Sequence, residues 1–461
     1  MLKNFFIALL MSSLFVSASE ANSSPEQAKA LSPTKAAQGT GMSDPHAKVY
    51  GDTVYLYTGH DEDPDDETWV MKKWQIYSTK DLVHWKLENY ISPKDNYMAN
   101  DSSDCWAGDA AERNGQYYFY FSDRKRGIGV MKSSSPTGPF VGALGKPLVS
   151  PMHDPTILRD DDAQKTAYLV YGDKEGGGFK VAKLNEDMIS LAEKPKKIEI
   201  LGDAWKKAPE WMDKNYIFKH KQKYYLSWGK DYAISDSVYG PYKCVGSLGE
   251  GHYLGDKAHG SFFWWKGQFY HIWCYYYKEG LRYRDCIITY CHFDDEGRIV
   301  TDTKYLDEHF SYGVGQYNSA WPKIEAEWFY AKSESVNKQG NAKQGFRVAN
   351  IRNGSYLHFA KMNFTQVLKE ASVKVAKLKG KGRVEFRLDS VEGPLLAKFD
   401  LSEGLNSQAV KNILPKDKYF RFTGKPTSRV ELSVPTQQRD LYLKFIGDEK
   451  FSLELDWFRF K

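Results

Sequence analysis

Three acidic side chains stand in sequence settings that could support acid–base chemistry. Asp44 lies in Ser-Asp-Pro-His, Asp154 in His-Asp-Pro-Thr and Glu210 in Ala-Pro-Glu-Trp. Hydrolysis of a glycosidic bond needs one carboxylic acid to protonate the leaving oxygen and one carboxylate to activate water or to attack. The proline after Asp44 holds this carboxylate at a rigid strand start, which suits a base. The apolar neighbours of Glu210 favour its protonated form, which suits an acid, and Asp154 nearby would raise its pKa further.

Five aromatic segments recur along the chain and predict the elements that position these side chains. They begin about 45 to 60 residues apart, which is the period of a propeller blade made of four short antiparallel strands. The segments are VYLYTGHD (54–61), YYFYFSD (117–123), AYLVYGD (167–173), YYLSWGKD (224–231) and FYHIWCYY (269–276). A turn precedes each of them, as expected for a hairpin. We therefore predict a five-bladed β-propeller.

A short strand opened by a polar motif comes before each aromatic segment. If this opening strand is the innermost strand of its blade, each blade places one side chain near a common axis. The five side chains are Asp44, Asp109, Asp154, Glu210 and His259. Residues more than 200 positions apart in the sequence would then share one pocket.

The sequence pattern changes after Pro322. From there to the C-terminus, apolar and polar residues alternate with turns every 8 to 15 residues, which is typical of a β-sandwich. We predict an all-β chain, with the five-bladed propeller at 41–321 and a β-sandwich of jelly-roll type at 322–461. This second region carries 26 Lys and Arg against 16 Asp and Glu. It lacks helix-turn-helix and zinc-ligand patterns, so we expect no nucleic-acid partner.

The N-terminus has the features of a secretory signal. Lys3 precedes the short apolar run FFIALLMSSLFV, and small residues follow. We assign residues 1–21 to a signal peptide and 22–40 to a flexible leader, and we expect a bacterial periplasmic or secreted protein. No later stretch approaches the roughly 18 apolar residues of a membrane span. The five Cys residues show no metal-ligand spacing, so we expect buried thiols with at most one disulfide.

Residues 41–320 resemble glycoside hydrolase family 43, five-bladed propellers that cleave arabinose-, xylose- or galactose-containing glycans with inversion. The motifs around Asp44, Asp154 and Glu210 carry the resemblance and occur in the family's order. It implies that Asp44 is the base, that Asp154 orients the acid and modulates its pKa, and that Glu210 is the acid. No organic cofactor is expected. Inversion predicts that the base and acid carboxyls lie roughly 6.5 to 9.5 Å apart.

The same resemblance implies three substrate-binding residues. Trp106 in Cys-Trp-Ala-Gly-Asp matches a family Trp that lines the sugar pocket, although Gly108 stands where proline is common. His259 in His-Gly-Ser-Phe matches the family's axial His, which often holds a water or an ion. Arg284 in Arg-Tyr-Arg-Asp is the candidate for contacts with sugar hydroxyls, and a position on a blade surface is its alternative.

Residues 323–461 resemble carbohydrate-binding module family 6, a calcium-bound β-sandwich. The matching motifs are IEAE (324–327), NGSYL (353–357), RLDSVEGPLL (387–396) and LDWFRF (455–460). The resemblance implies that Glu325, Glu327 and Asp456 hold a structural calcium, which prefers oxygen ligands. The chain departs from the family at Glu454, where Asn is usual, and its loop at 404–412 has no Trp. Sugar stacking at that loop end therefore lacks aromatic faces.

We predict a monomeric exo-glycosidase that acts on an oligo- or polysaccharide, with α-L-arabinofuranosidase as the leading specificity. β-Xylosidase and β-galactofuranosidase compete with it, because the sequence does not show which hydroxyls the pocket binds. Exo action is inferred from insertions at 61–74 and 249–258, which could close one end of the pocket.

Two hypotheses from other classes stay open at the level of sequence. A non-catalytic glycan-binding propeller would use the aromatic side chains but would need no acid of raised pKa. A metallohydrolase could use three His residues together with the two Asp-Pro motifs, although the paired His spacing of such sites is absent. Its candidate ligands are His46, His153, His259, Asp44 and Asp154.

Overall fold

A computed structural model describes residues 40–151, 153–172, 178–202, 213–248, 259–276, 282–310, 312–364, 368–405, 408–413 and 438–461. Within these ranges the chain is nearly all β-structure. The predicted signal peptide at 1–21 and almost all of the leader at 22–40 lie outside the described residues. Glu210 and the insertion at 249–258 lie outside them as well.

Five consecutive antiparallel sheets make up the first part of the chain, and four sequential strands form the body of each. The first three blades contain β1 (Met42–Tyr50), β2 (Thr53–His60), β3 (Trp74–Thr79), β4 (Lys86–Ile91); β5 (Cys105–Arg113), β6 (Gln116–Asp123), β7 (Gly127–Ser133), β8 (Val141–Gly142); β9 (His153–Arg159), β10 (Ala167–Gly172), β11 (Phe179–Lys183) and β12 (Lys196–Lys197). The last two contain β13 (Ile200–Leu201), β14 (Asn215–His220), β15 (Lys223–Trp228), β16 (Asp231–Ser235), β17 (Tyr242–Ser247); β18 (Gly260–Trp265), β19 (Gln268–Tyr276), β20 (Arg284–Phe293) and β21 (Ile299–Thr301). In the fourth blade β13 adds a parallel outer strand to β17.

The opening strands of the five blades form a closed ring. Strand β1 contacts β5, β5 contacts β9, β9 contacts β14, β14 contacts β18, and β18 returns to β1. The opening strand is therefore the innermost strand of its blade, and the predicted five-bladed propeller is confirmed.

The five aromatic segments form the second strand of each blade. The second strand of a blade has a neighbouring blade on each face. Because both of its faces are covered, it needs apolar residues on both sides. One fully buried side chain from each of these strands illustrates the packing: Leu56, Phe119, Leu169, Leu226 and Ile272. Burying each such side chain contributes about 1.5 to 3 kcal/mol. This explains why the repeats are nearly continuous apolar runs rather than alternating ones.

Two six-stranded sheets form the C-terminal β-sandwich. One sheet has the order β22-β27-β32-β29-β30 with β24 paired to β27, and the other has the order β25-β26-β33-β28-β31 with β23 paired to β33. The strands are β22 (Tyr317–Asn318), β23 (Ile324–Glu325), β24 (Ala331–Lys332), β25 (Asn337–Asn341), β26 (Gly345–Ile351), β27 (Tyr356–Asn363), β28 (Glu370–Lys379), β29 (Gly382–Leu388), β30 (Leu395–Leu401), β31 (Gln408–Ile413), β32 (Arg439–Gly447) and β33 (Ser452–Phe460). The predicted sandwich is confirmed.

The propeller and the sandwich share one continuous hydrophobic core, which includes Val54 and Tyr270 of the propeller with Trp328 of the sandwich. Helix α1 (Thr303–His309) connects the two parts and begins at Asp302, whose side chain accepts from the backbone N–H of Tyr305 at 2.9 Å. Short 3₁₀ turns occur at Pro93–Asp95 and Ala326–Trp328. None of the helices in the described ranges combines the length and the apolar character that crossing a bilayer requires.

Candidate active site

Asp44 and Asp154 occupy the same local structure in the first and third blades. Each lies at the start of an innermost strand and before a proline, with a positive φ of 50° and 53°, respectively. The pairing of β1 with β2 shifts between Ser43 and His46, and the pairing of β9 shifts likewise around Asp154. Bulges of this kind re-aim a side chain. A non-glycine residue in this left-handed region costs about 1 kcal/mol or more, so its repetition at two carboxylates points to a functional position.

Asp44 is a buried carboxylate held by two cationic side chains. Its Oδ1 atom lies 2.7 Å from Nη1 of Arg284 and 2.9 Å from Nδ1 of His259. The thiol of Cys274 donates to the same oxygen at 3.8 Å. Burial alone would raise the pKa of Asp44, but Arg284 and then His259 outweigh it and hold the pKa well below its usual range. The carboxylate is therefore ionised at neutral pH.

Asp61 fixes the orientation of Arg284. Its Oδ1 atom accepts from Nη2 at 2.8 Å, and its Oδ2 atom accepts from both Nε and the backbone N–H of Arg284 at 2.9 Å. A two-point contact of this kind holds the planar guanidinium in one geometry. Burial raises the pKa of Asp61, and Arg284 acts in the opposite direction. With Nε and Nη2 occupied by Asp61, Nη1 of Arg284 is aimed at Asp44.

His259 lies between the two Asp-Pro carboxylates. Its Nδ1 atom is 2.9 Å from Oδ1 of Asp44 and 3.9 Å from Oδ2 of Asp154. Burial would lower the pKa of His259, but Asp44 and Asp154 reverse the effect and raise it. The Nε2 atom is buried and has no hydrogen-bonding partner among the described residues. The imidazole therefore carries positive charge more readily than usual and couples the two carboxylates.

Asp154 is held by the second and fourth blades. Its backbone N–H donates to Oγ of Ser122 at 2.6 Å, and its Oδ2 atom accepts from the backbone N–H of Lys214 at 2.8 Å. Lys214 immediately precedes β14 and follows the segment that contains Glu210 in the sequence. Because Glu210 lies outside the described residues, the predicted separation of acid and base stays a prediction.

Asp109 lies deeper along the axis than the sequence pattern suggested. Its Oδ1 atom is 3.2 Å from Nδ1 of His46 and 2.8 Å from Nζ of Lys48, and its Oδ2 atom accepts from the backbone N–H of Ile157 at 2.7 Å. It is the fifth residue of β5, whereas Asp44 is only the third of β1. The side chain therefore belongs to a buried ion-pair layer beneath the pocket rather than to its mouth.

Two Trp side chains stand beside the carboxylates. The predicted Trp106 stacks on His153, with ring centroids 6.4 Å apart, and Trp69 packs edge-on against Trp106 at the same separation. The guanidinium of Arg284 lies 6.0 Å from the Trp69 ring. Trp69 comes from the insertion at 61–74, which therefore reaches the site. Aromatic faces of this kind suit stacking against sugar rings.

The structure thus places four predicted residues, Asp44, Asp154, His259 and Arg284, in one buried network with Trp106 next to it. It adds Asp61 and Trp69, which the sequence analysis did not select. Their only sequence signal is position. Asp61 directly follows β2 and opens the acidic run DEDPDDE (61–67), and Trp69 stands two residues after the end of that run. An acidic run is ordinarily a solvated surface, and this one begins with a buried side chain.

The three predicted calcium ligands do not form a ready-made cluster. Among the described residues, no group of three His, Cys, Asp or Glu side chains is arranged to hold a metal. Lys304 and Lys323 both bind the Glu325 carboxylate, the latter at 2.7 Å. Burial, then Glu325 and Asp456 among its neighbours, raises the pKa of Glu327 well above its usual value, and its Oε2 atom is buried without a described partner.

Glu454, at the position where related modules carry Asn, is already paired within the sandwich. Its Oε2 atom accepts from Nε of Arg347 at 2.6 Å, and Nζ of Lys377 lies 4.0 Å from Oε1. Two residues of the adjacent loop, 406 and 407, lie outside the described ranges. The predicted lack of aromatic faces at this loop end therefore stays a prediction.

A closed five-bladed ring holds an ionised carboxylate, a fixed guanidinium and Trp side chains at one end of its axis. An ionised carboxylate, a guanidinium and aromatic faces are the kinds of group that a glycan-hydrolysing site uses. The fold and the site together define a propeller glycosidase.

Comparisons with known proteins agree with this class. Residues 39–247 match the model of glycosyl hydrolases family 43, and residues 325–461 match that of carbohydrate binding module family 6. The chain therefore carries a family 43 glycoside hydrolase domain followed by a family 6 carbohydrate-binding module.

Individual relatives have low sequence identity to this chain but match more than half of its length. A xylosidase/arabinosidase of Bacteroides ovatus is 26% identical over 309 residues, covering 56% of this chain and 94% of the relative. An arabinoxylan arabinofuranohydrolase of Paenibacillus polymyxa is 25% identical over 433 residues, covering 77% of this chain and 65% of the relative. The structure of a family 43 arabinoxylan arabinofuranohydrolase from Bacillus subtilis aligns over 95% of this chain and 99% of its own, with a TM-score of 0.52 and 21% identity. This last similarity concerns the fold.

Proposed function

We propose that this protein is an inverting, exo-acting glycosidase with α-L-arabinofuranosidase activity on plant-type glycans. Asp44 takes a proton from the attacking water, Glu210 gives a proton to the leaving oxygen, and Asp154 orients Glu210 and modulates its pKa. Arg284 and Trp106 hold the sugar. Arabinose is favoured because the long match to the Paenibacillus polymyxa protein, an arabinoxylan arabinofuranohydrolase, extends beyond the propeller.

One observation carries the proposal: Asp44 is buried, strained in its backbone and kept ionised by Arg284 and His259. A buried charge is costly unless it is paired, and a structural carboxylate would not need the left-handed backbone as well. An ionised base beside donor and aromatic groups suits water activation on a sugar. A lectin would have no need of this arrangement.

Kinetics of two variants test the assignment. We expect Asp44→Asn and Glu210→Gln each to lower kcat on an aryl α-L-arabinofuranoside by about 10²- to 10⁴-fold. Asp285→Asn is the matched control, because Asp285 is a buried acid that binds Thr40 instead of the site. Wild-type turnover by Glu210→Gln would reject the assignment of the acid, and NMR of the first-formed anomer would decide between inversion and retention.

β-Xylosidase activity is the second candidate, since the Bacteroides ovatus relative is named a xylosidase/arabinosidase. Parallel assays on aryl β-D-xylopyranoside, β-D-galactofuranoside and α-L-arabinofuranoside rank the specificities by kcat/KM. Single sugars released from linear arabinan would support exo action, and oligomers would contradict it.

We further propose that the sandwich binds a structural calcium through Glu327, with Glu325 and Asp456. The buried Oε2 atom of Glu327 and the crowding of these carboxylates fit a hard cation. When bound, the ion would neutralise this acidic group. A water or an ion at Nε2 of His259 is proposed on the same ground, because that buried nitrogen has no described partner. Export by the N-terminal signal and a monomeric state complete the proposal.

A further inference from the structure

A second cavity lies at the opposite end of the propeller axis from Asp44. Its volume is about 470 Å³, within the range of small-molecule sites. It is lined by the C-terminal halves of β1, β5 and β9 and by residues 216–219 of β14, including Tyr50, Glu112, Arg159 and Phe218. Asp44 and Tyr50 stand at opposite ends of β1, which at about 3.3 Å per residue places them roughly 20 Å apart.

A buried polar layer separates this cavity from the candidate active site. His46 and Lys48 both contact Asp109, which also accepts from the backbone of Ile157. His46 and Asp109 are fully buried. Lys48 also lines the lower cavity, so this layer lies between that cavity and the level of Asp44 along β1.

Arg159 brings an unused donor to the lower cavity. Its Nε atom is buried and has no hydrogen-bonding partner among the described residues. Its Nη1 atom lies 4.0 Å from Oε2 of Glu112, which is too long for a hydrogen bond. The Oη atom of Tyr50 is likewise buried without a described partner. Polar groups left in this state cost about 1 to 3 kcal/mol each, and a bound hydroxylated molecule would satisfy them.

The cations around the cavity are paired with carboxylates. Lys48 is neutralised by Asp109, and Lys219 is bound to Asp160 at 2.7 Å and also to Asp161. Arg159 faces Glu112. Because none of these three cations is left unpaired, the cavity has no free positive charge to select an anion. A donor and an acceptor 4.0 Å apart instead match a pair of neighbouring hydroxyls, each of which can both donate and accept.

Trp264 provides an exposed aromatic face at the edge of the same end of the propeller. Its side chain is 42% exposed, the only Trp among the exposed large apolar side chains of the described residues. It stacks on His220, with ring centroids 5.4 Å apart, and His220 directly follows Lys219 at the end of β14. An indole face beside a hydroxyl-binding cavity suits a sugar chain that continues out of the cavity.

We propose that this lower cavity, with Arg159, Glu112 and Tyr50 inside and Trp264 at its edge, is a second, non-catalytic site for a neutral glycan. It would hold the enzyme on its polysaccharide while the upper pocket acts. The loop at 404–412 of the sandwich has no Trp in its sequence, and the propeller would supply this attachment instead.

Binding to the full-length chain tests the proposal. In an Asp44→Asn background, xylotetraose is titrated by calorimetry and by NMR. We expect Arg159→Gln to weaken one binding event at least tenfold. Arg113→Gln is the matched control, because Arg113 likewise ends an inner strand, β5, but donates to the carbonyl of Lys165, which does not line the cavity. Unchanged xylotetraose binding in Arg159→Gln would overturn the proposal.

Two further measurements keep the outcome clear. Trp264→Ala alters an exposed residue and is expected to weaken xylohexaose binding, so a folding defect in Arg159→Gln cannot hide the result. Binding of D-glucuronate through Arg159 without binding of xylotetraose would assign the cavity to an acid and reject the neutral glycan. With Asp44 restored, Arg159→Gln is expected to hydrolyse aryl glycosides like the wild type, so this test is independent of the proposed hydrolysis.

Discussion

At the scale of single residues, the candidate site is a chain of charges in which each group sets the state of the next. Both carboxylate oxygens of Asp61 accept from Arg284. Arg284 and His259 in turn contact Asp44. His259 also lies within 3.9 Å of Asp154. The result is an ionised Asp44 carboxylate at a strained backbone position. Asp61 acts only through Arg284, which makes it a positioning residue.

The pH dependence of activity should report on Arg284. Arg284 is the first of the groups that lower the pKa of Asp44, and an adjacent opposite charge is worth about 1 to 3 pKa units. We expect Arg284→Gln to move the acidic limb of the kcat/KM profile upward by a comparable amount, since the base then needs a higher pH to lose its proton.

The control for this shift is Arg282→Gln, because the Arg282 guanidinium lies over Trp69 and is absent from the groups that act on Asp44. An acidic limb that stays in place in Arg284→Gln, or that moves equally in Arg282→Gln, would contradict the role given to Arg284.

At the scale of elements, the ring is closed by side chains rather than by a shared sheet. The fifth blade is built only from β18 to β21, so its contact with β1 crosses between two separate sheets. Ser261 joins them: its Oγ atom accepts from the backbone N–H of Ala47 at 2.9 Å and donates to the Pro45 carbonyl at 3.0 Å. The same contact supports the bulge that presents Asp44.

Removal of this hydroxyl should weaken ring closure. We expect Ser261→Ala to lower the free energy of unfolding by about 1 to 3 kcal/mol, because two buried backbone groups lose their partner. Denaturant unfolding measures the change. Ser227→Ala is the control, since Ser227 is also buried but bonds within a single hairpin at 3.4 Å. Equal losses in both variants would contradict a special role of the contact between β18 and β1.

The proposed calcium would link strands β23 and β33 of the sandwich. Strand β23, which carries Glu325, pairs with β33, which carries Asp456. We expect calcium to raise the Tm of the wild type by several degrees and to leave Glu327→Gln unchanged. In the presence of a chelator, we expect the wild type to become less stable than Glu327→Gln as pH rises. The pKa of Glu327 is raised in the folded state, so the folded state keeps a proton that the unfolded state releases. The free energy of unfolding of the wild type therefore falls with pH. Equal calcium responses in both proteins would reject the site.

At the scale of the whole molecule, Lys338 of the sandwich forms hydrogen bonds with the propeller. Nζ of Lys338 on β25 donates to Oε1 of Gln268 at 2.5 Å and to the Cys291 carbonyl at 2.7 Å. Nε2 of Gln268 donates back to the Glu327 and Phe329 carbonyls, both at 2.9 Å. Burial lowers the pKa of Lys338 to about 8. Lys338 at this interface therefore loses its proton at a lower pH in the folded state than in the unfolded chain.

The stability of the intact protein should rise with pH because of this group. Between pH 8 and about 10.4 the unfolded state binds the Lys338 proton and the folded state does not, so the free energy of unfolding increases. Relative to Lys338→Met, we expect the wild type to gain about 1 to 3 kcal/mol over this range. Lys80→Met, whose native side chain is 70% exposed, is the control and should show no such gain. A constant difference between wild type and Lys338→Met would contradict the prediction.

The sequence alone determined the architecture and much of the site. The blade repeat can be predicted from the sequence because a strand covered on both faces must be apolar along its whole length. This apolar run is a local property of the chain. The two Asp-Pro motifs are readable for the same reason, since a proline acts on its own neighbours. The alternation after Pro322 likewise predicted the sandwich.

Only the tertiary structure decided which charges meet. Asp61 and Arg284 are 223 positions apart, and no local pattern pairs an acid in a polar run with an arginine in a distant strand. Asp109 shared its blade position with the site residues by sequence, yet two residues of register placed it in a lower layer. The lower cavity is lined by four inner strands that only the tertiary structure brings together. Such features depend on the register and closure of the ring, which distant parts of the chain set together.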